Sequence, residues 1–369
     1  MAIRVLELGG SFFDMGYKHG FLYREAIRRF ARERLRLSGE VAWTGRQASR
    51  SEILSLADAC LAEHKSYCPE LIEELEGMAM ATGLSLRELI IVNGFTDFID
   101  VVYNSPYRTD IPQRPLVAAD NCTAFLIPNE RSEDGLGFFG QTWDMHKSAT
   151  PHVILLRGKP SKGPEFLCFS TVGCVGMIGM NEAGIAVGIN NILGADGQVG
   201  LMWPFVIRKI LAQDNLEAAL ACLTEAKLAG AHNYLLFDRH GKGYNVEAMS
   251  TYQHITELKD EAIVHTNHCL VAKAKGLERQ RTPESLASSE ARLKQGKKLL
   301  AKGDVSLEKL QKLTQAEHIC VHPSEPMHVE TCGAAIMRPA SGDFWAVWGL
   351  PSENDYEHFS LGVSAGVSA

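Results

Sequence analysis

The spacing of apolar residues changes once along the chain, and the first 110 residues have helical spacing. After a short apolar run at Ile3–Leu8, which predicts a strand, apolar positions recur every three or four residues. Within Pro69–Ala79 they fall at 71, 72, 75, 78 and 79. Ser85 and Glu88 form a capping-box pattern, which predicts a helix that runs through Ile91. We therefore expect a mainly helical N-terminal segment.

From position 122 onward, short apolar runs separated by glycine-containing turns predict antiparallel strands. Two pairs of helices interrupt them: one pair follows Trp203 and includes a helix capped by Asp214, and the other begins at Thr282–Pro283. Because strands and helices come in separate blocks, we expect a layered α+β fold rather than alternating βαβ units. The expected strands lie near 123–128, 138–142, 153–157, 166–171, 175–180, 185–190, 234–238, 244–248, 262–266, 332–338 and 344–348.

Composition and charge exclude several classes of protein. The 369 residues carry a net charge of −7, which gives no basic surface for nucleic acid. The most basic stretch, Arg24–Arg36, interleaves Arg with Glu25 and Glu33, a pattern typical of the exposed face of a helix. The nine cysteines form no CxxC pairs, Met1–Leu8 lacks a signal-peptide pattern, and no apolar stretch reaches membrane-spanning length. We therefore expect a cytoplasmic protein with no membrane partner.

Cys122 is the candidate nucleophile. It stands in the apolar run Leu116–Pro128, directly after the polar pair Asp120–Asn121, and a Pro-rich linker at Pro106–Pro115 precedes it. A single cysteine in an apolar strand is most often a buried core residue. Asp and Asn are poor strand formers, however, and they suggest a bent or strained backbone in front of a rigidly held thiol.

Three further side chains are candidates, each with a structural alternative. Asp144 ends a strand-like run and is either a turn residue or a carboxylate that holds an ammonium group. Asn267 follows a predicted strand and is either a turn residue or an amide donor to a developing oxyanion. Glu247 alternates with apolar neighbours and is either a surface residue or a buried supporting acid.

Histidines and cysteines in two short stretches allow a different interpretation, a zinc site. The two sets are His265, His268 and Cys269, and His318, Cys320 and His322. Neither set has the spacing of a structural zinc site, so we predict no metal and no other cofactor.

Together, these segments resemble the cysteine N-terminal-nucleophile hydrolases of the acyl-CoA:6-aminopenicillanic acid acyltransferase family, over nearly the whole chain. Each motif is weak alone, but four of them occur in the family's order, which is a specific signal. The motifs are Asp120–Thr123, Gly140–Asp144, Gly179–Val187 and His265–His268, preceded by the helix start Phe13–Gly20 and the helical segment Pro69–Phe98.

The resemblance implies a four-layer αββα sandwich with two antiparallel sheets, and self-cleavage between Asn121 and Cys122. Residues 1–121 would form a helical pro-segment and residues 122–369 the catalytic subunit, and the two fragments would stay together as a heterodimer within one domain. Cys122 would be the nucleophile, its freed α-amine the general base, Asp144 the group that orients the amine, and Asn267 an oxyanion donor. Supporting residues are expected at Thr123, Trp143, Glu247 and His265.

Two positions depart from the family pattern. Family members typically have Gly before the nucleophile, whereas this chain has Asn121, which tolerates the strain of an N-to-S acyl shift less well. The acyltransferase pattern has Arg after an Ile-Cys pair near the end of the chain, whereas this chain has Val321. Loss of a bidentate arginine–carboxylate contact predicts neutral or cationic substrates rather than anionic β-lactams.

The sequence thus predicts a self-processing cysteine amidase or acyltransferase, which acts on an amide or thioester bond of a small acylated amine through an acyl-enzyme on Cys122. Two alternatives stay open: an uncleaved, non-catalytic binding protein on the same fold, and a zinc-dependent hydrolase. The acyl group, the amine, the acyl acceptor and any homo-oligomer are also left open.

Overall fold

The computed structural model describes residues 2–106, 120–323 and 328–362, so from residue 107 the linker expected at 106–115 lies outside the described residues. The N-terminal part is helical, as the apolar spacing predicts. The helices are α1 (Phe12–Leu22), α2 (Arg24–Leu37), α3 (Val41–Thr44), α4 (Arg50–Tyr67), α5 (Pro69–Thr82), α6 (Leu86–Asn93), α7 (Phe95–Tyr103), α8 (Trp203–Ile210), α9 (Leu216–Thr224), α10 (Ala272–Lys275), α11 (Pro283–Leu300) and α12 (Leu307–Thr314).

The strands form two sheets. An eight-stranded sheet has the order β1-β4-β5-β6-β7-β8-β9-β10, and a six-stranded sheet has the order β11-β2-β3-β12-β13-β14. All described pairs are antiparallel except β1 with β4, which is parallel. The strands are β1 (Val5–Gly10), β2 (Asp120–Ile127), β3 (Phe138–His146), β4 (Val153–Pro160), β5 (Phe166–Thr171), β6 (Ile178–Asn181), β7 (Ile185–Asn191), β8 (His232–Asp238), β9 (Gly243–Ala248), β10 (Gln253–Glu257), β11 (Ile263–His265), β12 (Val329–Arg338), β13 (Asp343–Trp348) and β14 (Glu357–Ser360).

The two sheets pack face to face, and helices cover both outer surfaces. Strand β2 contacts β7 and β8 across the interface, α8 and α9 pack on the larger sheet, and α11 and α12 pack on the smaller one. The expected four-layer αββα sandwich is therefore confirmed. Strand β1 belongs to the larger sheet, so the helical N-terminal segment also contributes to the central layers.

Local sequence signals account for much of the helical layer. The capping box of Ser85 and Glu88 is present at the start of α6, and Thr282 caps α11. Helices α1 and α5 cross closely because Gly16 lies against the backbone of Glu74, where any side chain would overlap a carbonyl group. Within the described ranges, no helix is both long and apolar enough to span a bilayer.

Two local expectations were wrong. Helix α9 is capped by Asn215 rather than Asp214, because the extended backbone of Asn215 lets its side chain accept a hydrogen bond from the N–H of Ala218. The backbone at Asp120–Asn121 is not bent away from the sheet. Both residues belong to β2 in continuous register with β3, since pairing in the ladder overrides low strand propensity.

Candidate active site

Cys122 points into the space between the two sheets. It is fully buried and belongs to the same apolar cluster as Leu126, whereas Phe125 belongs to the cluster beneath α11 and α12. Its cross-strand partner is Trp143, so the two side chains share the inner face of the smaller sheet. A thiol here is held rigidly at one end of the sandwich.

Asn267 contacts the backbone of Cys122 from the loop that follows β11. Its Oδ1 accepts a hydrogen bond from the N–H of Cys122 at 2.6 Å, and its Nδ2 donates to the carbonyl oxygen of Asn191 at 3.1 Å. The first neighbour can only donate and the second can only accept, so the orientation of the amide is determined. Asn267 thus bridges the two sheets at the candidate nucleophile, with its oxygen towards the Cys122 nitrogen.

Arg292, on α11, is a site residue that our sequence reasoning missed. Its Nη1 donates to the carbonyl oxygen of Cys122 and, at 3.2 Å, to Oγ1 of Thr123. Its Nη2 donates to Oδ1 of Asn267 at 2.9 Å and to Oδ1 of Asn121 at 3.3 Å. The side chain is fully buried, so these charge-assisted contacts form away from water, where they are strong.

Helix α11 supplies a second polar contact one turn before Arg292. Ser289 Oγ accepts a hydrogen bond from the N–H of Asn267 at 2.9 Å and lies 2.7 Å from Nδ1 of His268. Burial lowers the pKa of His268 to about 4, so this ring is neutral at pH 7. The sequence did contain a signal for Ser289 and Arg292, because these two polar residues stand at helical spacing in the same stripe as the other buried residues of α11. The stripe comprises Ser289, Arg292, Gly296 and Leu300.

Asp144 lies directly across the β2–β3 pair from Asn121 and is fully buried. Thr331 of β12, the next strand, donates its hydroxyl hydrogen to Asp144 Oδ1 at 2.7 Å, and the N–H of Val321 donates to Thr331 Oγ1 at 2.8 Å. Asp144 is therefore one strand spacing from the residue that precedes Cys122. Position 321, where the resembling pattern has Arg, is linked to this carboxylate through the hydroxyl group of Thr331.

Asn190, near the end of β7, was also missed. Gly188, two residues earlier on the same face, lies against Phe139 and Gln141 of the smaller sheet, so Asn190 also faces that sheet. Asn190 is fully buried, and within residues 2–106, 120–323 and 328–362 neither of its amide atoms has a hydrogen-bond partner. Such a group costs about 1–3 kcal/mol, which calls for an explanation such as a ligand. The sequence signal for Asn190 is its place as a polar residue near the end of an otherwise apolar strand.

Glu247 and His265 hold the loop that carries Asn267. The carboxylate lies 3.0 Å from Nε2 of His265 and accepts hydrogen bonds from the N–H groups of Leu270 and Val271. Burial acts to raise the pKa of Glu247, but these hydrogen bonds outweigh it, so the pKa lies below its usual range. Glu247 is therefore a buried acid rather than a surface residue.

The two histidine and cysteine sets are engaged elsewhere. His265 contacts Glu247, and both Cys320 and His322 lie 3.3 Å from the hydroxyl oxygen of Ser352. In the part of the chain that the structure describes, no three His, Cys, Asp or Glu side chains come together as a metal site.

A small aromatic cavity lies beside Trp143. Its volume is about 30 Å³, and Trp143 forms part of its wall together with Phe30, Phe95 and Trp203. Trp143 is the cross-strand partner of Cys122, but Cys122 is not among the residues that line the cavity. A cavity of this size has room for one or two water molecules.

Arg34 also lines this cavity, contrary to the expectation that the basic stretch 24–36 is an exposed face. It is only 2 % exposed, because it falls on the buried stripe of α2 at helical spacing from Ile27, Phe30 and Ala31. The average charge of residues 24–36 was misleading, because the burial of each residue depends on its position relative to the apolar stripe of the helix and not on the charge of the whole stretch.

Comparison with known proteins identifies a family. The family model described as acyl-coenzyme A:6-aminopenicillanic acid acyl-transferase matches residues 130–353. The 40 kDa form of acyl-coenzyme A:6-aminopenicillanic-acid-acyltransferase from Emericella nidulans is 24% identical over 212 residues, 56% of this chain and 54% of that protein. An uncharacterized protein from Archaeoglobus fulgidus is 24% identical over 201 residues, 52% of this chain and 33% of that protein. The chain spans about half or less of these relatives.

Two solved structures are similar to part of this chain. A variant of conjugated bile acid hydrolase from Clostridium perfringens has a TM-score of 0.45 and 12% identity, over 67% of this chain and 99% of that one. Penicillin V acylase from Agrobacterium tumefaciens has a TM-score of 0.40 and 11% identity, over 66% and 88%.

Proposed function

We propose a function for this chain from its family: it belongs to the acyl-coenzyme A:6-aminopenicillanic acid acyl-transferase family. The proposed function is that of a self-processing cysteine amidase or acyltransferase. Its substrate would be the amide or thioester of a small acylated amine. The observation that carries this proposal is the arrangement around Cys122. Its N–H group donates to Asn267 in a loop, and its carbonyl group accepts from Arg292 on a helix, both far away in sequence.

The first step would be cleavage of the chain. The thiol of Cys122 attacks the carbonyl carbon of Asn121, the peptide C–N bond breaks, and the nitrogen leaves as the α-amine of Cys122. Water then hydrolyses the thioester and releases Asn121 as a carboxylate. Arg292, which binds the side chain of Asn121 and the backbone of Cys122, would hold the two residues in place during this step.

The second activity would use the new N-terminus. The α-amine takes the thiol proton, and the thiolate attacks the substrate carbonyl to form an acyl-enzyme, from which the acyl group passes to water or an amine. Asp144 would act as the carboxylate that orients the amine. Asn267 would orient the same nitrogen through Oδ1, and Asn190 and Nδ2 of Asn267 are the candidate oxyanion donors.

Intact-mass measurement and an acyl probe test both steps. The purified chain should give two polypeptides that end at Asn121 and begin at Cys122, and Cys122→Ala should remain one inactive chain. With 4-nitrophenyl acetate, the larger fragment should gain one acetyl group during a burst of nitrophenolate release. Full activity in a single uncut chain would refute the free-amine mechanism. An uncut chain with no acetylation would instead favour a non-catalytic binding protein.

A further inference from the structure

A stripe of aromatic side chains lies exposed along α1. Phe13, Tyr17 and Phe21 share one face of the helix, and their rings stack with centre-to-centre distances of 6.5 Å and 6.2 Å. Phe21 is 57% exposed and Tyr17 is 40% exposed. Leu22, at the end of α1, is 56% exposed, and Met80, on the neighbouring helix α5, is 68% exposed. Single exposed apolar residues are ordinary, but such a group indicates a binding surface.

Glycines in the contact between α1 and α5 show how the two helices lie along each other. Gly77 of α5 lies against the backbone of Phe13 and Tyr17, and Gly20 of α1 lies against the backbone of Met78. Helix α5 therefore runs in the same direction as α1 beside the stripe. Residues of α5 that precede Gly77 lie near the start of the stripe, and residues that follow it lie near the end.

The charged residues around the stripe differ between its two ends. Glu73 and Glu76, both exposed on α5, lie near the start, whereas Lys18 and Arg24 lie towards the end. The guanidinium carbon of Arg24 lies 5.7 Å from the ring centre of Phe21. Within the part of the chain that the structure describes, none of these four charged side chains forms an ion pair. The surface is thus apolar in its middle, acidic at one end and basic at the other.

We propose that this stripe is the interface of a homodimer, in which α1 packs antiparallel against α1 of a second copy of the chain. A two-fold axis near Tyr17 brings the acidic end of each copy to the basic end of the other, so the surface is complementary to itself. Phe, Tyr and Met are enriched in the cores of protein interfaces, and burial of these side chains supplies the attraction. Glu25, next to Arg24, is paired with Arg28 and does not cancel the basic end.

The mixture of charges favours a second copy over a lipid surface. Helices that lie on anionic membranes carry Lys and Arg on their polar face, whereas Glu73 and Glu76 would be repelled by anionic headgroups. Both α1 and α5 precede residue 121, so the surface belongs to one polypeptide whether or not the chain is cleaved. The inference therefore does not depend on the proposed function.

The mass of the protein in solution tests the proposal directly. Sedimentation velocity of the purified, full-length protein, over a range of micromolar concentrations, should give twice the mass of the 40.5 kDa chain. Phe21→Ser should weaken the dimer about tenfold or more, as is typical for truncation of a central aromatic residue. Leu299→Ser is the matched control, because Leu299 is an exposed apolar residue of α11 outside the stripe. A monomer at every concentration, or a dimer that Phe21→Ser leaves unchanged, would overturn the proposal.

Reversal of the charges tests the orientation. Arg24→Glu should weaken the dimer about tenfold, because it places like charges opposite Glu73 and Glu76 of the second copy. Adding Glu73→Arg and Glu76→Arg to the same chain brings opposite charges together again, so the affinity should return to that of the unsubstituted protein. Equally weak association of the triple variant, with folding checked by thermal melting, would refute the antiparallel arrangement.

A vesicle measurement tests the alternative occupant. We expect no co-sedimentation of the protein with vesicles of phosphatidylcholine and phosphatidylglycerol. A monomeric protein that sediments with these vesicles, and loses this binding on Phe21→Ser, would overturn the proposal and assign the stripe to a membrane surface.

Discussion

Two buried arginines lie on opposite sides of strand β2, and they contact different kinds of partner. Arg292, on the outer side, donates hydrogen bonds to oxygens of the chain itself, including the carbonyl of Cys122 and the amide of Asn267. Arg34, on the inner side, lies against the faces of Phe30 and Phe95 in an aromatic cavity.

The difference separates contacts that hold the proposed nucleophile from contacts that pack a helix against the sheet. Hydrogen bonds from Arg292 to backbone and amide oxygens define where Cys122, the proposed nucleophile, lies, so the loss of Arg292 should affect every substrate alike. Contacts of Arg34 with Phe95 and His146 join α2 to α7 and β3, so its loss should affect the packing of the helical layer more than kcat. Three substitutions around the Asn121–Cys122 junction test the first half of this difference.

Asn267→Ala should have the largest effect among them. Loss of one oxyanion donor typically lowers kcat about 10²–10³-fold, and Asn267 also contacts the nitrogen that would become the base. We expect kcat to fall by this amount for charged and neutral amides alike, in a protein whose melting temperature is measured in parallel. A change confined to KM would assign Asn267 to substrate binding instead.

Arg292→Gln should lower kcat about tenfold, as expected for loss of a hydrogen bond from a charged group, and should shift the pH profile. A nearby cation lowers the pKa of an amine, so its removal should raise the pKa of the freed α-amine and move the acidic limb of kcat/KM to higher pH. Arg292→Lys keeps the charge and should leave the limb in place. Identical limbs in the two variants would show that Arg292 acts through geometry alone.

Asp144→Asn should have the opposite and smallest effect. A carboxylate raises the pKa of a neighbouring ammonium group, so its removal should lower the amine pKa and move the acidic limb about one unit to lower pH. The measurement requires a variant that still cleaves, which intact mass establishes first. Unchanged pH dependence with normal activity would make Asp144 a structural partner of Thr331 only.

The fold was predictable because periodicity and turn residues are local signals. The helical spacing in Pro69–Ala79 and the Ser85 capping box identify helices α5 and α6. Where local preference and the ladder disagree, as at Asp120–Asn121, the ladder determines the structure. Pairing of β1 with β4 joins residues about 150 positions apart, and no local signal carries such information.

The candidate site was predictable only in part, for a related reason. Asp144 and Asn267 stand at the ends of predicted strands, and the structure brings both to the residues at the Asn121–Cys122 junction. Arg292 and Arg34 lie within helices rich in exposed charges, where only the spacing of each residue against the apolar stripe distinguishes a buried arginine from a solvated one.

The parallel pairing of β1 with β4 has a consequence for how the protein would recover from denaturation. Before cleavage, the two strands belong to one polypeptide, so their association is unimolecular and independent of dilution. After cleavage they would belong to two molecules, and the same hydrogen bonds would form only when these two molecules meet. The rate of this encounter would fall as the protein is diluted. Arg34 and Cys122 would also be divided between those molecules. A mature preparation diluted from denaturant should therefore regain activity in second-order fashion, whereas the uncut chain would refold at any dilution.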